Sequence, residues 1–186
     1  MNSSRRLAAL ALCAASFVAT MTGCANAPTV ADYATQTPAF DLKSYFDGHL
    51  VAHGVFTDRA GKVQRRFVVQ LEGSWVGNDG TLDEAFTYSD GKTERRVWHI
   101  KKLPDADGHG RYTGTADDVL GTATGESAGN ALRWNYTLKL PVDGKVYEVQ
   151  FDDWMYLIDR QVMINKAAMS KFGVHLGDVT LSFRKP

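Results

Sequence analysis

Four residues on two neighbouring stretches raise the first chemical question: Trp134, Tyr136, Phe151 and Asp153. If Asp143-Gly144 forms the tip of a two-residue turn, Tyr136 faces Phe151 and Trp134 faces Asp153. Three aromatic rings then share one sheet face with a carboxyl group. An ionised acid among rings is costly unless a donor or a cation reaches it. Two readings follow. In the plainer one, Asp153 sits at a rim, solvated or bonded to Trp134 Nε1 or a loop amide. In the sharper one, it is the polar anchor of an apolar ligand cavity, where a few fixed polar groups orient a hydrophobic ligand. Glu84, Arg96 and Trp98, with Arg95, flank Asp90-Gly91 and are further candidates of this kind. A Glu84–Arg pair would serve equally well as an outer cross-strand ion pair, and turn length decides which face each side chain takes.

Motifs for other chemistry are missing. Gly73-Ser74-Trp75 lacks the second glycine of a nucleophile elbow, and no Walker loop or G-x-G-x-x-G is present. The histidines (His49, His53, His99, His109, His175) are scattered. His49 and His53 share a strand face but lie ~13 Å apart at strand rise, too far to share a metal. Asp105 to Gly110 has the look of a calcium loop, but Ala116 stands where the bidentate glutamate belongs. No metal, cofactor or catalytic residue is expected. An enzyme using Glu84 or Asp153 as general base is a third possibility; it needs a second acid or base within hydrogen-bond reach.

Cys24 carries chemistry of a different kind. Arg5 and Arg6 precede an apolar run from Leu7 to Thr20, and Met21-Thr22-Gly23 ends in small residues just before the cysteine. The apolar run is shorter than the ~20 residues a bilayer needs. The pattern looks like the lipobox of bacterial lipoproteins, cut before Cys24 and acylated on its thiol; a secretory peptide cut without lipidation is the alternative. Residues 1–23 are then signal peptide, and Cys13 leaves with it. Cys24 becomes the sole remaining cysteine, so the fold rests on packing without an internal disulfide. Two or more acyl chains give stable membrane anchoring. Ala25, rather than Asp, follows the cysteine, which resembles an outer-membrane sorting signal facing the periplasm.

These residues need a scaffold. Residues 24–39 read as a flexible tether, with Pro28 and Pro38 and no apolar period. Phe40 to Phe46 makes a short helical turn that closes one end of a domain spanning 40–186. From Gly48 onward, turn signals separate alternating segments: Arg59-Ala60-Gly61, Gly77-Asn78, Asp90-Gly91, Asp105 to Gly110, Val119-Leu120-Gly121, Gly129-Asn130 and Asp143-Gly144. One short helix is expected near the C-terminus, Lys166 to Phe172, capped by Gly173. The Asp143-Gly144 hairpin can be set in register. Leu140–Tyr147, Leu138–Val149, Tyr136–Phe151 and Trp134–Asp153 share one face; Lys139–Glu148, Thr137–Gln150 and Asn135–Asp152 share the other. The hairpin before it sets Glu126 opposite Arg133. Past Asp153 the chain is apolar on both faces through Ile158, so the outer side needs a cover: the short helix, a partner or a membrane.

About nine or ten consecutive antiparallel strands must bury one face without a long helix to cover it. An all-β, up-and-down, lipocalin-like barrel is the economical solution. A β-sandwich is the alternative. Of 186 residues, 44% are hydrophobic and 23% charged, the make-up of one globular domain. Lys plus Arg equals Asp plus Glu at 21 each, so the basic footprint of a nucleic-acid binder is missing.

Several stretches together resemble a known family: the lipobox, Phe46-Asp47-Gly48, Asp83-Glu84-Ala85-Phe86 before Asp90-Gly91, Asp152-Asp153-Trp154-Met155, Asn165, and Lys171-Phe172-Gly173-Val174. They are similar to a bacterial lipoprotein family catalogued as domain of unknown function 3833. The resemblance implies an envelope lipoprotein and supplies neither a reaction nor catalytic residues. The layout is also lipocalin-like, with Arg184 near the end, but Gly73-Ser74-Trp75 lies well past the first strand, where that family carries its G-x-W. The expectation is a periplasmic barrel, anchored to the membrane through Cys24. It would bind a lipid-like or other amphipathic molecule with Trp134, Tyr136, Phe151, Asp153, Glu84, Arg96 and Trp98. The alternative is an envelope assembly lipoprotein with a filled barrel. Oligomeric state is not legible.

Overall fold

The computed structural model describes residues 27–142 and 144–186. Residues 1–23, read as a signal peptide, and Cys24 lie outside the described residues.

Ten antiparallel strands close into a barrel. They are β1 (Gly48–Asp58), β2 (Val63–Val76), β3 (Asp79–Tyr88), β4 (Thr93–Ala106), β5 (His109–Thr115), β6 (Ala123–Ala128), β7 (Ala131–Val142), β8 (Lys145–Leu157), β9 (Val162–Lys171) and β10 (Val174–Arg184). Each pairs with its neighbours in sequence, and β1 pairs with β10 from Val51↔Arg184 to Asp58↔Gly177. The alternation that predicts strands is what fills the interior. Leu132, Trp134 and Leu138 of β7 are buried, while Arg133 bonds Asp152 across strands. The β7–β8 register matches the expected pairs throughout, including Trp134↔Asp153 and Tyr136↔Phe151, and Glu126 pairs with Arg133. The barrel, not the sandwich, is the fold.

The helix expected at Lys166–Phe172 is not there; those residues belong to β9 and its turn. Lys-Ala-Ala-Met-Ser-Lys has good helical propensity, but Met163, Asn165, Ala167 and Met169 alternate inward, and the gap between β8 and β10 must be filled by a strand. Gly173 serves a turn instead. Phe172 (φ 51°) and Gly173 (φ 76°) both take the left-handed conformation that a two-residue hairpin requires.

The stretch read as a flexible tether is docked at points, with Val30 buried and Tyr33 half-buried. Val30–Tyr33 forms a 3₁₀ turn, with Asp32 Oδ2 accepting from Thr29 N at 2.7 Å. Val30 is buried, and Tyr33 lies against Trp154 and Tyr156 with ring centroids 5.8 and 5.3 Å away. This turn therefore covers the outward aromatics of β8, the role expected of the missing helix. Gly129 makes the fit possible, because a Cβ there would stand 1.7 Å from the Tyr33 carbonyl oxygen.

The turn at Phe40–Phe46 is present as helix α1 (Leu42–Phe46). Asp41 caps it, its Oδ1 accepting from Ser44 N at 2.8 Å and its Oδ2 from Lys102 Nζ at 2.6 Å. Leu42, Tyr45 and Phe46 are buried, and Phe46 meets Phe183 edge-on at 5.8 Å. Gly73 lets the helix sit down, since a Cβ there would be 1.5 Å from the Phe46 carbonyl oxygen. The helix plugs the end where β1 begins and β10 finishes. The other end, formed by the β1–β2, β3–β4, β5–β6, β7–β8 and β9–β10 connections, has no such plug. Exposed apolar side chains gather on one side of that open rim: Val142, Val146, Tyr147, Val174 and Phe172, the last 90% exposed.

Candidate functional site

A ten-stranded barrel is wider than one its own side chains fill. This one encloses a cavity of about 620 Å³, within the ~300–1,000 Å³ range of small-molecule sites. All seven residues expected to bind a ligand line it: Glu84, Arg96, Trp98, Trp134, Tyr136, Phe151 and Asp153. Leu42 and Phe46 of the plug form its floor, and Leu140, Pro141 and Val142 carry its wall to the open rim.

Its aromatic wall is ordered ring on ring. Trp98 meets Trp134 edge-on at 5.7 Å and Tyr136 at 5.4 Å, and Tyr136 stacks on Phe151 at 4.9 Å. The Trp134 indole has room because two facing positions lack a side chain. A Cβ at Gly125 would lie 2.3 Å from Trp134 Cε3, and one at Gly114 would lie 2.7 Å from Cζ2.

Four ionisable groups stand among these rings. The β3–β4 register places Glu84 directly opposite Arg96, and both point inward. Arg95, one residue away, takes the outer face and bonds Asp83. Arg96 is held by Asp118, from the loop between β5 and β6, through Nε at 2.9 Å and Nη2 at 2.8 Å. Its contact with Glu84 is longer, 3.9 Å. Burial works against the Arg96 charge, but Tyr136, Glu84 and Asp118 outweigh it and raise the pKa further. Burial pushes Glu84 up to about 7, against the pull of Arg96. It pushes Asp153 up to about 8, again opposed by Arg96. The Tyr136 phenol is also driven well above its usual range by burial.

Asp153 is 8% exposed, its Oδ1 is buried and no hydrogen-bond donor reaches it. Asn165, 2% exposed on the adjacent strand, has an equally unpartnered Nδ2. Asp153 is thus an inward cavity group rather than a solvated rim acid. Two contributors escaped the sequence. Asp118 lies in a loop 22 residues from Arg96, with only the doubled Asp117-Asp118 to mark it. Asn165 was hidden by the helical reading that began one residue later; as a strand residue it is the polar exception among Met163, Ala167 and Met169. Among the described residues, no Ser, Cys or His lines the cavity.

A family model for DUF3833, a protein of unknown function, matches residues 18–185. The chain belongs to this family. No curated protein matches the sequence. Among solved structures, the S-type phycobiliprotein lyase CPES from Guillardia theta is similar in fold, with a TM-score of 0.56 over 75% of this chain and 88% of that one. At 6% identity the likeness concerns architecture alone. For the DUF3833 chain it agrees with a closed lipocalin-like barrel.

The buried acids give stability a definite pH dependence. Each has a folded pKa above its unfolded value, so the unfolded chain binds fewer protons between the two values and stability falls as pH rises. Chemical denaturation is expected to show highest stability near pH 5 and a loss toward pH 8. Asp153→Asn should flatten that slope. Absence of that loss would mean that the two carboxyls are solvated, with folded pKa values near the unfolded ones.

Proposed function

We propose that this protein is an envelope lipoprotein, acylated at Cys24, whose barrel binds a small amphipathic molecule. The observation that carries the reading is the unfilled apolar cavity with a short row of fixed polar groups on one wall. A filled barrel, as a purely structural lipoprotein would have, would leave no chamber of this size between its walls. The similar fold of a lyase that by its name acts on phycobiliproteins supports barrels of this shape as sites for small molecules.

The anchor gives the site a direction. Val30 is packed about six residues after Cys24, a span of at most ~20 Å. It sits by the β6–β7 turn, at the plugged end. An acylated Cys24 therefore sets the plugged end toward the anchoring membrane and the rim away from it. Ligand enters from the aqueous side.

Two measurements check this reading. Full-length protein from its native envelope should carry an enriched small molecule in organic extracts analysed by mass spectrometry. Ala167→Phe, which pushes a ring into the cavity from a buried site, should lose it while keeping its strand spectrum. No enrichment in either sample contradicts ligand binding. Separately, radioactive palmitate should label the wild type and not Cys24→Ser; equal labelling of both contradicts the anchor.

A further inference from the structure

The cations in the cavity and at its edge each hold an acceptor. Arg96 is bonded through two nitrogens to Asp118, Arg65 bonds Asp90 at 3.1 Å, and Arg95 bonds Asp83 at 2.8 Å. Lys139 Nζ donates to the Asp117 carbonyl at 2.7 Å. The acids are in the opposite condition. Glu94 at the mouth accepts from Tyr88 Oη, but deeper in, Glu84 has Arg96 at 3.9 Å and the Trp98 indole, and Asp153 Oδ1 has no bonded donor, with the Asn165 amide beside it. An incoming carboxylate or phosphate would find each cation lining the cavity already holding an acceptor, with buried Arg65 Nε and Asn165 Nδ2 as the donors left without a partner. It would also meet two carboxyls that resist a further negative charge. An incoming ammonium or amidinium would find a buried acceptor walled by Trp98, Trp134 and Tyr136, whose ring faces also attract cations.

Resting on the ligand-binding reading, we propose that the cavity selects amphiphiles with a basic nitrogen head group, which Asp153 accepts as a charge-assisted hydrogen bond with Glu84 beside it. The apolar part lies against Phe151, Met169 and Leu140 toward the rim. The ligand's N–H would satisfy Oδ1 and favour the ionised carboxylate. Because burial raises the Asp153 pKa to about 8, the carboxyl keeps its proton at neutral pH, and binding an ammonium there displaces that proton to solvent. The groups facing this exchange are Arg96, Glu84, Tyr136 and Asn165 inside, with Asp152 on the outer face of the same strand.

Three probes of equal chain length separate the possibilities: dodecylamine, dodecanoic acid and dodecanol, titrated calorimetrically into the full-length protein at pH 7. The amine should bind at least roughly tenfold more tightly than the acid, a difference of about 1.4 kcal/mol. Its heat should vary with the buffer's ionisation enthalpy, reporting proton release, while the alcohol's heat should not. In Asp153→Asn the amine-to-alcohol affinity ratio should fall to about one. Equal or tighter binding of dodecanoate overturns the proposal, as does amine binding without proton release, and both readouts use the unaltered protein. Those outcomes leave ligand binding itself standing. If none of the three probes binds, the ligand-binding reading fails and this proposal falls with it.

Discussion

Pairing of β1 with β10 is the constraint from which the rest follows. An open ten-stranded meander would present two bare edges and one large apolar face, and among the described residues no helix is long enough to cover that face. Closure removes both edges at once and turns the apolar face into an interior. Ten strands enclose more space than their inward side chains occupy, so the same step that satisfies the backbone creates a chamber. Helix α1 blocks one end of it, with Asp41, Lys102 and Gly73 seating the plug. The 3₁₀ turn at Val30–Tyr33 covers the one outward strip that remains aromatic.

A chamber lined by rings is a costly place for charge, which makes the polar row informative. Arg96 is tolerated because Asp118 reaches it with two-point geometry and Glu84 stands across the strand pair. Asp153 has less: the more distant pull of Arg96 and the Asn165 amide beside it do not offset its burial, and its Oδ1 has no bonded donor. Neutralising itself by binding a proton is the inexpensive way for a lone buried carboxyl to persist. A group kept in that state in a packed core would lose little by replacement with an apolar residue. Placed on the wall of an open cavity, it is available to a donor that the chain itself does not provide.

How much of this could be read from residues alone varied with how local the determining interaction is. The β7–β8 hairpin was legible pair by pair, because Asp143-Gly144 marks its tip and both strands alternate strictly on either side. The direction of Glu84, Arg96 and Trp98 was not, since parity across the β3–β4 connection depends on how many residues the turn consumes. Lys166–Phe172 was misread because helical propensity is a local quantity and barrel closure a global one. Val30, Tyr33 and Phe40 carry no period, so their docking on Trp154, Tyr156 and Gly129 left no trace in the pattern. Asp118 meets Arg96 only through the closed fold. The cavity was legible least of all. It is a small difference between the volume ten strands enclose and the volume their side chains fill.

The account stands on the state of one carboxyl group: buried, unpaired and facing an apolar chamber. Carbon-13 NMR titration of the Asp153 side-chain carboxyl in the ligand-free protein observes that state directly, with Asp153→Asn assigning the resonance. A midpoint near 8 is expected from its burial. A midpoint near 4, the range of a solvated aspartate, would show that water or a protein donor already serves the group, and would contradict the account.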